Sequence, residues 1–228
     1  WDADSGKIFT HLKGHSQPIN FAEFSPDGKK ILTASNDGTA KIWEVGSAHI
    51  LATINKHSRY INSIQYSPDL KKVVTASGDN TAKVWDAGSG IMLFELKGHT
   101  KPVVFAQFSP DEKKIVTASE DGTAKIWDAH LGQMLVELRH EWYIINAEFS
   151  PDGKKIVTAS GDGTAKIWNV NSGEILAVLN GHSEYLNWAQ FSPDGEKIVT
   201  ASGDKTAKIW DAGTGELLAD LKGHTEFV

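Results

Sequence analysis

Histidine, serine and aspartate recur together along the chain, and these are the residue types of a hydrolytic triad. Between residues 99 and 127, His99 is followed by Ser119, Asp121 and Trp127. The same four types return at matching spacing in four more stretches: His15, Ser35, Asp37 and Trp43; His57, Ser77, Asp79 and Trp85; His140, Ser160, Asp162 and Trp168; and His182, Ser202, Asp204 and Trp210. Identical chemistry in five places indicates scaffold, so we predict no catalytic residue and no enzymatic activity.

A metal site is not predicted either. His11 and His15 are close in sequence, but His11 belongs to a segment predicted to be extended, in which four residues span too far for helix-type pairing. The chain has no cysteine, which excludes thiolate ligands and disulfides. We therefore expect no metal and no cofactor.

The net charge and the lengths of the apolar runs indicate which classes of partner to expect. The 228 residues carry a formal net charge of −6, whereas a nucleic-acid surface usually shows an excess of basic residues. No apolar run approaches the ~18 residues of a membrane span. We expect a cytoplasmic protein with neither a nucleic-acid nor a membrane partner.

Tryptophan marks a repeat. The tryptophans at 43, 85, 127, 168 and 210 follow one another at intervals of 42, 42, 41 and 42 residues, and Trp1 lies one period earlier. A period of this length indicates units that bury their apolar faces only by stacking on their neighbours. We therefore take residues 1–228 as one array, with repeat periods 1–42, 43–84, 85–126, 127–167 and 168–209 and a partial period 210–228.

Each period predicts four short strands. Runs rich in Val, Ile, Thr, Phe and Trp cover residues 103–108, 114–119 and 123–127, with a further run at 92–96 in the preceding period. Pro, Asp and Gly bound these runs, and no helical period is present. Ser109-Pro110-Asp111 predicts a turn whose next position, glycine in three repeats, holds Leu70 or Glu112 in the others.

The repeats resemble the WD-repeat β-propeller family in three features. A Gly-His pair precedes the first strand, a Trp-Asp pair follows the third, and 28 residues separate His from Trp in all five copies. The near identity of the repeats is similar to that of bacterial members. The resemblance implies an all-β propeller of four-stranded antiparallel blades. Five complete blades are counted, with partial strands at both ends: an orphan outer strand near residues 7–12 and the start of a first strand at 223–228.

The resemblance also gives the repeated residues a role. In each repeat it implies a hydrogen-bond tetrad that runs from the Trp indole to Ser, from Ser to His and from His to Asp. Such a network would satisfy the indole N–H and both imidazole nitrogens, each of which costs roughly 1–3 kcal/mol if buried without a partner.

Positions that differ between repeats are candidates for partner binding. Family members usually bind partners on the face formed by the Gly-His loops and the loops of the tetrad Asp. On that face we predict contacts from an arc of aromatic and amide side chains and one acid: Tyr60, Trp142, Tyr143, Tyr185, Phe227, Asn20, Asn62, Asn187 and Glu120. Aromatic rings give contact area at low entropy cost, and amides pair with peptide backbone. The alternative is that the rings pack on one another.

The fourth repeat differs most from the others. Its loop reads Leu138-Arg139-His140-Glu141-Trp142-Tyr143 and is one residue short, since the glycine before the histidine is absent. Trp142 belongs to no tetrad and is either an exposed binding residue or a cover for the gap left by the deletion. Trp188 is predicted to lie in the core between blades.

The sequence therefore favours a non-enzymatic scaffold or sensor module that binds a protein or peptide on the Gly-His face. The alternative is a structural module that self-associates through open blade edges, or a fragment of a larger propeller in a bacterial signalling protein, whose further blades would cover those edges.

Overall fold

Four runs of β-branched and aromatic residues in every repeat fold into four antiparallel strands. The computed structural model describes residues 4–5 and 7–226, and within them twenty strands form five four-stranded sheets, each paired in chain order. The strands are β1 (Ile19–Phe24), β2 (Lys30–Ser35), β3 (Ala40–Glu44), β4 (Ile50–Ile54), β5 (Ile61–Tyr66), β6 (Lys72–Ser77), β7 (Thr81–Asp86), β8 (Met92–Lys97), β9 (Val103–Phe108), β10 (Lys114–Ser119), β11 (Thr123–Asp128), β12 (Met134–Arg139), β13 (Ile144–Phe149), β14 (Lys155–Ser160), β15 (Thr164–Asn169), β16 (Ile175–Asn180), β17 (Leu186–Phe191), β18 (Lys197–Ser202), β19 (Ala207–Asp211) and β20 (Leu217–Leu221). We number the sheets as blades 1 to 5 along the chain.

The strand predictions are confirmed for the five blades and wrong for the outer strand near residues 7–12. The third repeat's runs match β9, β10 and β11, apart from one added residue in β11. Residues 7–18 contain no strand, because a lone extended segment has no neighbouring strand to take its backbone hydrogen bonds. Residues 222–226 contain none either, and the rest of the segment predicted at 223–228 lies outside the described residues. The described residues form no helix long and apolar enough to cross a membrane.

The Ser-Pro-Asp turns keep one geometry despite the change of residue. Leu70 and Glu112 have φ of 61°, close to the 68° of Gly28 at the same position. The turn type is therefore retained, and these two residues carry strain of about 1 kcal/mol in a left-handed conformation that glycine adopts freely.

The apolar core is divided into layers between neighbouring blades. Between blades 2 and 3 the layer combines two groups of buried residues: Val74, Ala76, Ala82, Val84 and Leu96 from blade 2, and Val103, Ala106, Phe108, Ile115, Trp127 and Ala129 from blade 3. The other neighbouring pairs repeat this arrangement. Each fully buried Val, Leu, Ile or Phe contributes roughly 1.5–3 kcal/mol relative to exposure, so blades stabilise one another.

Candidate partner-binding face

The repeated polar residues form a closed hydrogen-bond network inside each blade. In blade 3, His99 Nδ1 lies 2.9 Å from Asp121 Oδ2 and its Nε2 lies 2.7 Å from Thr117 Oγ1. The Trp127 indole donates to the same threonine oxygen at 2.9 Å. Since the carboxylate can only accept, His99 Nδ1 donates its hydrogen to Asp121.

Threonine, and not the predicted serine, joins the indole to the imidazole. The threonines are Thr33, Thr75, Thr117, Thr158 and Thr200. The serine placements at Ser35, Ser77, Ser119, Ser160 and Ser202 are therefore corrected. The reason is register: Trp127 pairs with Ile115, and Ser119 lies four residues, about 13 Å, further along the strand.

The serine has a different task. Ser119 Oγ donates to the Pro102 carbonyl at 2.9 Å and accepts from Asp121 N at 3.1 Å, which fixes the turn that presents Asp121. Its side chain is fully buried. Because the hydroxyl is engaged and inaccessible to solvent, it is not placed to act as a nucleophile.

Burial and hydrogen bonding set the charges of the network. Burial by itself would raise the pKa of Asp79, but hydrogen bonds from His57 and Thr81 outweigh it and hold that pKa well below its usual range. Burial, helped by the charge of Lys166 and opposed by Asp162, lowers the pKa of His140 to about 4. In blades 2 and 4 the network therefore pairs an ionised aspartate with a neutral histidine. Across the described residues, no group of three or more His, Asp or Glu is placed to hold a metal ion.

The tyrosines of the predicted binding arc are each seated on a glycine of their own blade. A Cβ at Gly203 would stand 2.7 Å from Tyr185 Cζ. Gly78 and Gly161 face Tyr60 and Tyr143 still more closely. Repeats with proline at the tyrosine position, Pro18 and Pro102, instead have Asn36 and Glu120 at the glycine position. The two positions therefore vary together, a signal that the sequence contained and that our sequence analysis missed.

The amides of the arc have a structural role. Asn20 is the extra residue of a β-bulge between Ile19 and Phe21, and Asn62 occupies the equivalent bulge in blade 2. The bulge turns each amide toward the next blade: Asn20 Nδ2 donates to Ile61 O at 3.0 Å, and Asn62 Nδ2 donates to Val103 O at 2.8 Å. These two amides join blades. Asn187 occupies the same bulge position in blade 5.

Trp142 in the fourth repeat stands out from this face. It is 60% exposed and its ring centroid lies 6.5 Å from that of Tyr143. A Cβ added at Gly122 would be 3.2 Å from the Trp142 carbonyl, so the backbone beneath the ring is packed closely on the blade 3 turn. Because the Trp142 ring is exposed and only its backbone is closely packed, the ring does not fill a gap left by the missing glycine.

Trp142 is a ridge between two clefts. The cleft toward blade 3, about 260 Å³, is lined by Lys101, Glu120, Asp121, Gly122, Glu141, Trp142 and Tyr143. The cleft toward blade 5, about 230 Å³, is lined by Trp142, Tyr143, Gly161, Asp162, Gly163, His182, Ser183, Glu184 and Tyr185. Carboxylates outnumber the single lysine, and Glu120, Glu141 and Glu184 are exposed. We use the name Trp142 ridge for the surface formed by the Trp142 side chain and the residues that line the two clefts beside it.

The remaining predicted residues fall outside the ridge. Trp188 meets Phe105 edge to face, with ring centroids 5.5 Å apart, which confirms its core position. These rings come from blades 5 and 3. In blade 4, Asn146 Nδ2 donates to Ala189 O of blade 5 at 2.9 Å. Phe227 lies outside the described residues.

Stacked four-stranded blades, each tied internally by an identical Trp-Thr-His-Asp network, define a β-propeller-type repeat protein. The chain belongs to the family described as WD domain, G-beta repeat, whose sequence profile matches residues 6–44, 48–86, 90–128, 132–169 and 173–211.

Similarity to individual curated proteins extends over about one repeat. The chain is 46% identical over 44 residues to THO complex subunit 6 of Arabidopsis thaliana and to Retinoblastoma-binding-like protein E of Dictyostelium discoideum. It is 41% identical over 44 residues to Serine-threonine kinase receptor-associated protein of Homo sapiens. Each match takes in 19% of this chain, but only 12%, 8% and 13% of the respective relative. These relatives are eukaryotic, and a bacterial-type array stays a prediction.

Proposed function

We propose that the chain is a non-enzymatic scaffold for protein interactions, and that the Trp142 ridge binds a basic segment of a protein partner. The exposed Trp142 ring between two acid-lined clefts carries the proposal. Membership of the WD family supports a scaffold role, as do relatives whose names describe a complex subunit and a receptor-associated protein.

The acidic and aromatic residues of the Trp142 ridge favour a basic segment of the partner. Glu120 and Glu141 line one cleft and Glu184 the other, so Lys or Arg side chains on either side of an apolar residue would match both. The guanidinium of arginine also stacks on an indole face, which adds roughly 0.5–1 kcal/mol at an exposed site. The tyrosines favour binding because they are already held in place: Tyr143 rests on Gly161 and Tyr185 on Gly203. Little side-chain conformational entropy is therefore lost when a partner binds.

The test is selection from a random peptide display library against the purified chain, followed by fluorescence anisotropy on the enriched peptides. We expect enrichment of Lys and Arg near apolar residues, and affinity that falls with added salt. Trp142→Ala should weaken binding about tenfold or more, as for the central residue of an interface. Glu141→Gln should weaken it less and reduce the salt dependence.

Leu131→Ala provides the matched control, since Leu131 is 68% exposed but lies outside both clefts. It should leave affinity unchanged. Peptides without basic residues, or peptides that bind Trp142→Ala and Glu141→Gln as tightly as the parent, would overturn the proposal.

A further inference from the structure

Each blade carries one lysine at the same register of its third strand. In blades 1, 2, 3 and 5 this lysine is buried, and the four are Lys41, Lys83, Lys125 and Lys208. In blade 2 the Lys83 ammonium lies 2.9 Å from Glu95 Oε1 on the neighbouring strand β8. Glu137 and Asp220 pair with the lysines of blades 3 and 5 in the same way, and Thr53 accepts from Lys41 at 3.4 Å in blade 1. A buried ammonium needs such a partner, because burial without one costs free energy.

Blade 4 departs from this pattern. Its lysine, Lys166, faces Val178 across the strand pair, so valine stands where blades 2, 3 and 5 have an acid. Within the described part of the chain Lys166 forms no ion pair; its ammonium donates to the Arg139 carbonyl at 3.2 Å and lies 5.5 Å from the Trp168 ring centroid. Val178 is 49% exposed, so solvent reaches the position from which an acid would meet this lysine.

The glycine missing from the fourth repeat uncovers the same lysine. In blade 3 the glycine before the network histidine lies over the lysine: a Cβ at Gly98 would stand 3.3 Å from Trp127 Cη2 and 4.0 Å from Lys125 Cε. In blade 4 that glycine is absent, and Arg139 directly precedes the histidine. Lys166 is accordingly only partly buried, whereas its four equivalents are buried. Two changes in one repeat, the lost glycine and the lost acid, therefore leave an accessible ammonium without a carboxylate.

We propose that Lys166 binds an Asp or Glu side chain of the protein segment that occupies the Trp142 ridge, an inference that rests on the proposed function. The partner's carboxylate takes the place that Glu95 has beside Lys83 in blade 2. Arg139, whose carbonyl holds the Lys166 ammonium, precedes Trp142 by three residues, a backbone span of at most about 10 Å. An acidic residue three or four positions from the apolar residue on the indole therefore reaches Lys166. The segment combines basic side chains for the clefts with one acid at a fixed spacing.

Peptide display on the parent chain and on Val178→Glu tests the inference. The substitution gives Lys166 an acid at the register where blades 2 and 3 already have glutamate. Peptides selected on the parent should carry an acid three or four positions from the apolar residue, and those selected on Val178→Glu should keep the basic residues and lose the acid. In fluorescence anisotropy, a parent-selected peptide with an amidated C-terminus should bind Val178→Glu and Lys166→Met about fivefold more weakly or worse. Replacing the peptide's acid by its amide should weaken binding to the parent equally and have no further effect on either variant.

Thr53→Glu is the matched control, because it adds the same charge at the equivalent register of blade 1, opposite Lys41. It should leave affinity unchanged, and circular dichroism with urea midpoints should show that all three variants fold. Basic peptides without a preference for an acid, or equal affinity for the parent and Val178→Glu, would overturn this inference and leave the proposed function intact. An equal loss in Thr53→Glu would do the same. Peptides with the acid but no basic residue would support the Lys166 site and overturn the basic segment, and no enrichment at all would overturn both.

Discussion

Trp127 and Trp142 have the same side chain in opposite settings. Trp127 is 1% exposed, packs in the layer between blades 2 and 3 and donates its indole hydrogen to Thr117. Trp142 is 60% exposed and stands between two acid-lined clefts. The difference separates a residue that recurs in every repeat and holds blades together from one that occurs in a single repeat and is exposed.

Truncating the two tryptophans gives the largest contrast. Trp127→Ala should destabilise the fold by about 3–5 kcal/mol, since it empties a packed layer and leaves Thr117 without its indole donor. Trp142→Ala should change the free energy of unfolding by no more than about 0.5 kcal/mol. Urea denaturation followed by circular dichroism measures both. Equal losses would show that Trp142 is a packing residue.

Thr117→Val separates the observed network from the predicted one. The substitution keeps the shape but removes the hydroxyl that serves both His99 Nε2 and the Trp127 indole, so we expect a loss of about 2–4 kcal/mol. Ser119→Ala removes a hydroxyl that donates to the Lys101 and Pro102 carbonyls and accepts from Asp121 N, and it should cost about 1 kcal/mol. Urea denaturation measures both losses. A larger loss for Ser119→Ala than for Thr117→Val would show that serine, and not threonine, joins the indole to the imidazole.

Acid should destabilise the buried hydrogen-bond networks, and His140 gives the clearest case. His140 has a folded-state pKa of about 4 against 6.5 for the free side chain. Because the unfolded chain takes up this proton first, its contribution is full above about pH 6.5 and is lost as pH falls toward 4. Burial also lowers the pKa of His57 and of His182, and the hydrogen bonds that their Nδ1 atoms donate to Asp79 and Asp204 oppose this shift.

For His140 alone the loss between pH 7 and about pH 4.5 is on the order of 2 kcal/mol. The network aspartates, whose pKa values are lowered, add a further loss below their free value of 3.8. Urea midpoints across this range measure the effect, and an NMR titration of the His140 ring identifies its source. A midpoint that stays constant from pH 7 to about 4.5 would contradict the neutral-histidine assignment.

The smallest expected change in stability tests whether Tyr143 packs on Gly161 or is free of it. Gly161→Ala places a methyl group under the Tyr143 ring and should cost about 1 kcal/mol, because the partly exposed ring swings out. Combined with Tyr143→Ala, the same substitution should cost almost nothing, a coupling that a double-mutant cycle measures. Glu120→Ala, at the equivalent position beside Pro102, is the control and should be neutral. Additive costs would show that Tyr143 does not rest on Gly161.

The repeats made most of the fold predictable. The strands of five blades follow from periodic runs bounded by turn residues, and the turn geometry persists even at Leu70 and Glu112. The outer strand near residues 7–12 was predicted wrongly, because a strand pattern in the sequence does not supply the neighbouring strand that it needs. The strand predicted to begin within 223–228 is untested, since residues 227–228 lie outside the described part of the chain. Within the network, His, Asp and Trp were placed correctly, but Ser119 was chosen over Thr117, since both recur in every repeat and only register distinguishes them.

Sequence alone determined the period, the strand content, the absence of thiol chemistry and the outlying fourth repeat, because these depend on residue type and local spacing. Tertiary structure decided which hydroxyl meets the indole, which amides join blades, that tyrosines rest on glycines, and that Trp142 is exposed. The physical reason is that hydrogen bonds and burial depend on distances between separate strands and blades, which a one-dimensional pattern does not specify.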